Sequence, residues 1–175
     1  MNLVLVGYRG TGKSTVGKLL AERLGMRYVS MDYEITNKVN MSIPEIVEKF
    51  GWDIFRDLES EVTKELTRQD GLVIDTGGGV IERQENVGYL RVNTIVFWLS
   101  ASVAAIASRI QGDTSRPALT SGKTYLEEVA DVLANREPKY KATAHYEIGT
   151  NDTSPRQVAD KIIEIWERLP AKNTL

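Results

Sequence analysis

The stretch GYRGTGKS, Gly7–Ser14, decides the reading of this chain. It matches G-x-x-x-x-G-K-[ST], and it sits where that pattern has mechanical meaning. Before it runs the apolar stretch NLVLV, and after it comes a helical pattern over Ser14–Leu24. Glycines let a backbone wrap tightly and turn several N–H groups inward. A helix starting near Gly12 aims the positive end of its dipole into that wrap. Lys13 adds a full charge for β- and γ-phosphates, and the Ser14 hydroxyl suits Mg²⁺. Gly10, Thr11, Gly12, Lys13, Ser14 and Thr15 are therefore the expected nucleotide contacts, with ATP and Mg²⁺ as ligands. The plain alternative is a chance match on a glycine-rich turn.

Outward from this loop, short apolar runs alternate with helical patterns. Leu3–Val6, Arg27–Ser30, Leu72–Asp75, Thr94–Leu99 and Tyr146–Ile148 read as strands, being aliphatic or β-branched and too short for helices. Ser14–Leu24 carries Val16, Leu19, Leu20 and Leu24 on one side, with Gly25 past its end. SIPEIVEKFG opens at Ser42 with Pro44 in the first turn and Glu45 three residues on, a capping box. Phe55–Leu66, Val103–Ile110, Tyr125–Asn135 and Pro155–Leu169 are also helical in period. This alternation predicts one α/β domain over residues 1–170, with five parallel strands and helices on both faces. The polar segment Gln111–Thr124 breaks the pattern as a long loop, and residues 171–175 read as a frayed tail.

Composition narrows the function. The chain has 175 residues, a net charge of −2 with acids and bases interspersed, no cysteine and one histidine, His145. That excludes disulfides, a thiol nucleophile and a thiolate or histidine-rich metal site. Nothing suggests a nucleic-acid or membrane partner. No basic leader precedes the first apolar run, so a cytoplasmic protein acting as a monomer on a small molecule is expected.

Several residues outside the loop invite chemistry. Asp32 lies past the second strand, where ligands of open α/β sheets bind, and could orient or deprotonate a hydroxyl. The plain alternative is a cap for a helix over Tyr33–Asn40. Arg56 has Glu59 three residues on, which reads locally as an exposed ion pair. Gly77, Gly78 and Gly79 suit a backbone that lies close against a ligand. Arg116 stands in the long polar loop, and Arg109 and Arg136 stand toward helix C-termini, where a cation has an ordinary reason to be. Asp75 ends the third strand and could serve a metal or simply bond a backbone N–H. His145 reads as a surface or packed residue, and Trp52 as a core or rim residue.

SMDYEI (Ser30–Ile35), FRDLESE (Phe55–Glu61), DTGGGV (Asp75–Val80), SRPALT (Ser115–Thr120) and NREPKY (Asn135–Tyr140) keep order and spacing along nearly the whole chain. Together with the loop they resemble the shikimate kinases. The resemblance implies strand order 2-3-1-4-5, a lid over residues 111–124, and phosphoryl transfer from ATP to shikimate in aromatic amino-acid biosynthesis. It implies that Asp32 bonds the acceptor hydroxyls and acts as the base. It implies that Arg56 and Arg136 grip the carboxylate and that Gly77–Gly79 offer an N–H. It also implies that Arg116 reaches the transferring phosphate, that Arg109 stacks on adenine, and that Thr150–Pro155 contacts adenine.

The match is imperfect after the second strand. The family pattern there is Asp-x-Asp, and this chain has Ser30-Met31-Asp32. Asp75 is the expected substitute for the missing metal-side acid, acting through water. The rival readings are a kinase of another sugar acid, such as gluconate, and a nucleotide-binding regulatory protein without turnover.

Overall fold

The computed structural model describes residues 1–110 and 124–170. Its strands are β1 (Asn2–Val6), β2 (Arg27–Ser30), β3 (Leu72–Asp75), β4 (Thr94–Ser100) and β5 (Tyr146–Gly149). All pairings are parallel, in the order β2-β3-β1-β4-β5. The helices are α1 (Lys13–Leu24), α2 (Met31–Val39), α3 (Ile43–Thr67), α4 (Gln84–Leu90), α5 (Val103–Ile110), α6 (Tyr125–Thr143) and α7 (Pro155–Glu167), with a 3₁₀ turn at Val80–Glu82.

Strand alternation sorts the core into two layers. Leu3, Leu5, Val73, Phe97 and Leu99 face one way and pack with Val16 and Leu20 of α1 and Val158 and Ile162 of α7. Val4, Val6, Ile74, Val96 and Trp98 face the other way and pack with Ile35 of α2, Phe55 and Val62 of α3 and Tyr140 of α6. Each fully buried aliphatic or aromatic side chain contributes about 1.5–3 kcal/mol. A third cluster joins Tyr8 to Ile106, Ile110, Val129 and Leu133, seating α5 and α6 beside the glycine-rich loop.

The structure adjusts several sequence expectations. β1 begins at buried Asn2, whose carboxamide donates to Gln69 O (2.6 Å) and accepts from Leu72 N (3.0 Å), so the polar residue is satisfied inside the sheet. α2 starts at Met31 and is capped by Ser30, whose Oγ accepts from Tyr33 N at 3.4 Å. Asp32 is thus not the cap but lies in the first turn. α6 runs through Pro138 to Thr143, well past Asn135. An interior proline costs about 3 kcal/mol, yet Tyr140 is fully buried and stacked on Trp98 at 5.9 Å, and that packing carries the helix onward. Arg136 is consequently mid-helix rather than a C-terminal cation. α4 has no counterpart among the expected elements.

The segments Ser42–Gly51 and Phe55–Leu66 form one long element with a break at Gly51 (φ 82°, ψ 170°). That conformation belongs almost wholly to glycine. It re-aims the chain so that Trp52 and Arg56 reach the strand ends while Ile46 stays in the core. Gly51→Ala is expected to lower the unfolding free energy by about 1–3 kcal/mol, read by urea denaturation. An unchanged midpoint would show that the kink tolerates a side chain.

Candidate active site

Parallel pairing brings the C-terminal ends of β1, β2 and β3 to one edge, and a cleft of about 350 Å³ opens there. The loop after β1 forms one wall. Gly10 and Gly12 have φ of 79° and 93°, which a side chain would resist. The first intrahelical bond of α1 is Val16 N to Gly12 O, so the amides of Lys13, Ser14 and Thr15 have no helical acceptor and open toward an anion. Lys13 is buried, and its Nζ donates to Gly7 O (2.8 Å) and Tyr8 O (3.0 Å), within the same loop. Thr11 is also buried, but its hydroxyl donates to Tyr8 O (2.8 Å), which holds the loop closed from behind.

The end of β3 faces this loop. Asp75, 5% exposed, accepts from Ser14 Oγ (2.6 Å) and Tyr28 Oη (2.8 Å), both on Oδ2. Burial, followed by the nearby Asp75 carboxylate, pushes the Tyr28 phenol well up, so it remains a donor. Ser30 is the direct β-partner of Asp75 across β2 and β3. Among the described residues no cluster of three His, Cys, Asp or Glu side chains could hold a metal. Mg²⁺ asks less, since it keeps several waters and needs one or two protein oxygens. Ser14 and Asp75, beside the first turn of α1, fit it.

The far wall grips differently. Arg56 donates to Glu59 Oε2 at 2.6 Å, and its guanidinium lies over Trp52 and Phe55. The pair is not the exposed one that local sequence suggests, because Glu59 is 1% exposed. Arg136, also buried, is held through Nε by Glu82 Oε1 (2.7 Å), while Lys139 bonds the other Glu82 oxygen. Burial pulls the Glu82 carboxyl upward. The hydrogen bonds from Lys139 and Arg136 outweigh that and hold it below the usual glutamate range. Tyr140 donates to Gly78 O, and Thr76 binds Leu5 O through both N (3.2 Å) and Oγ1 (2.9 Å), which fixes the strand-to-glycine junction.

Gly79 has φ of −101°, so its need for glycine is not conformational. A Cβ there would fall inside the Arg56 guanidinium. The glycine run therefore leaves room for a cation as well as for a ligand.

The structure thus brings Gly10, Gly12, Lys13, Ser14, Thr15, Asp32, Arg56, Asp75, Gly77, Gly78, Gly79 and Arg136 onto one cleft. Arg109 is not on its lining. Its guanidinium clamps Gly10 O (3.2 Å), Thr150 O (2.7 Å) and Asn151 O (3.2 Å), joining the loop after β1 to the segment after β5. Arg116 and the expected lid, apart from Thr124, lie outside the described residues, as do residues 171–175. Sequence reasoning missed Tyr8, Arg9 and Thr76 on the lining. Tyr8 and Arg9 occupy unspecified positions of the loop motif, so no pattern marks them. Arg9 faces Glu128 at 3.7 Å and the Tyr125 ring of α6. His145 serves the sheet: its Nδ1 accepts from Val96 N at 2.9 Å.

The cleft carries the cations Arg9, Lys13, Arg56 and Arg136 against the carboxylates Asp32 and Asp75. The family model described as shikimate kinase matches residues 9–167. This chain belongs to the shikimate kinase family. It is 42% identical to the shikimate kinase of Thermodesulfovibrio yellowstonii, over 96% of each chain. The structure of shikimate kinase from Acinetobacter baumannii in complex with shikimate superposes with a TM-score of 0.91 at 38% identity, covering 97% of this chain and 95% of the other. Shikimate kinase from Aquifex aeolicus gives a TM-score of 0.83 at 29% identity, covering 95% and 96%. Shikimate kinases use ATP with Mg²⁺, and the wall of Lys13, Ser14 and Asp75 fits both.

Gly79→Ala must displace the Arg56 guanidinium. We expect the KM for the organic acid to rise about tenfold or more, the scale of one lost charge-assisted contact, with the KM for ATP little changed. Steady-state kinetics with each substrate varied reads this, and equal effects on both constants would contradict it.

Proposed function

We propose that this chain transfers the γ-phosphoryl group of ATP to the 3-hydroxyl of shikimate. The observation that carries the reading is the pair of guanidiniums, half-buried Arg56 and buried Arg136, that line one cleft with the phosphate loop. A planar carboxylate matches guanidinium forks. The acid is then fixed by Arg56, Arg136 and the Gly77–Gly79 backbone, and its ring carries a hydroxyl toward the nucleotide.

Asp32 lies between the two walls, on the first turn of α2. There it orients the attacking hydroxyl and takes its proton as the new O–P bond forms and the bond to the β-phosphate breaks. The amides of Lys13–Thr15 hold the phosphates, and the Lys13 ammonium follows the charge that shifts to the leaving ADP. Ser14 and Asp75 would hold Mg²⁺. When bound, the ion neutralises the β- and γ-phosphate oxygens. Arg109 shapes the nucleotide end of the cleft through its clamp on Gly10 and Thr150. We place the enzyme in the cytoplasm. Among the described residues no helix is long and apolar enough to cross a membrane.

ADP release measured with shikimate, quinate, gluconate and no acceptor tests the reading. Shikimate should be preferred by about a hundredfold or more, since a site built on paired polar contacts rejects acids that leave them unmet. A preference for gluconate would assign a different sugar acid. Nucleotide binding without turnover on any acceptor would assign a regulatory role.

A further inference from the structure

Tyr28 sits in β2, and its phenol reaches along the neighbouring strand β3 to Asp75 Oδ2, at the end of that strand, at 2.8 Å. The same oxygen accepts the Ser14 hydroxyl proton at 2.6 Å. Ser14 donates its one proton to Asp75, so its hydroxyl oxygen can face a cation only as an acceptor. Among the described residues, Asp75 Oδ1 takes no side-chain donor. Two donors on one oxygen pin the carboxylate's rotation and leave the other oxygen for a metal-bound water.

The route of the phenol is itself built. Gly17, on α1, lies under the Tyr28 ring, and a Cβ there would stand 2.9 Å from Cε2 and 3.3 Å from Leu5 Cδ1. Gly17 is buried in a helix interior, where glycine costs about 1 kcal/mol relative to alanine. That cost has a local reason, since the ring needs the space. Lys18 lies 5.8 Å from the centre of the same ring and helps hold it. Ser30, which pairs directly with Asp75 across the strands, brings no carboxylate to this place. Asp75 is therefore the acid there, and its orientation depends on Tyr28.

We propose that Tyr28 is a positioning residue for the metal. Its phenol, admitted by Gly17, sets the Asp75 carboxylate so that Ser14 and Asp75 together receive Mg²⁺. The inference rests on the kinase reading above only for the identity of the nucleotide. It assigns to this chain a three-residue device, Gly17–Tyr28–Asp75, behind the Ser14 hydroxyl.

Mg²⁺ titrated into the protein with ADP, followed by calorimetry, tests this without turnover. Tyr28→Phe keeps the ring and removes the donor. It should weaken Mg²⁺ binding about fivefold, within the range of one hydrogen bond to a charged group. Affinity for ADP without Mg²⁺, the melting temperature and the KM for shikimate should hold. Asp75→Asn should weaken Mg²⁺ further, and adding Tyr28→Phe to it should bring no additional loss, because the two act as one unit. Unchanged or tighter Mg²⁺ binding in Tyr28→Phe overturns the proposal. So does an undiminished Tyr28→Phe effect in the Asp75→Asn background, or a parallel loss of Mg²⁺-free ADP affinity. Failure of the wild-type protein to phosphorylate shikimate would instead strike the functional reading and leave this titration standing.

Discussion

The parallel register of β2, β3 and β1 is the constraint on which the site depends. Ser30 pairs with Asp75, and Asp75 pairs with Leu5, one residue before the end of β1. Three strand ends therefore stop at one edge, and three loops leave it side by side. The glycine-rich loop, the Ser30–Asp32 turn and the Asp75–Gly79 run meet for that reason and not because their polar groups attract one another. The energy that fixes the register lies in the apolar layers, where the alternating residues of β1, β3 and β4 bury themselves against helices on both faces. Reversing any one of these strands would carry its loop to the opposite end of the sheet.

That scaffold supports charges that would be costly elsewhere. Lys13, Asp75 and Arg136 are all buried, and each is compensated by specific partners: loop carbonyls for Lys13, two hydroxyls for Asp75, Glu82 for Arg136. Removing one member of such a set leaves the other stranded in a poor solvent. The cleft's arginines are likewise paired from behind, Arg9 by Glu128, Arg56 by Glu59 and Arg136 by Glu82, which holds each guanidinium in place.

Much of this was legible in the sequence because the physics is local. The run Gly7–Ser14 declares its own turn and helix, the capping box at Ser42 appears as expected, and five short apolar runs could only be strands. Strand order was not local and came from resemblance. Where local signals mislead, tertiary packing overrides them. Pro138 looks like a stop, but buried Tyr140 carries α6 past it. Asp32 offers a cap, but Ser30 two residues earlier takes the role. The Arg56–Glu59 spacing looks like a surface pair until the fold buries it. The need for glycine at Gly79 was visible only as a run, because the guanidinium that fills its missing side chain comes from a distant helix. Tyr28 gave no signal at all, since a tyrosine in a strand is ordinary until its hydroxyl is seen on Asp75.

The central claim is spatial: phosphate and organic acid are held on opposite walls of one cleft, the acid by two guanidiniums. A crystal structure with ADP, Mg²⁺ and shikimate tests it most directly. The account predicts shikimate's carboxylate bonded to both Arg56 and Arg136, with a ring hydroxyl on Asp32 and directed at the nucleotide. A carboxylate bound away from both arginines would contradict it.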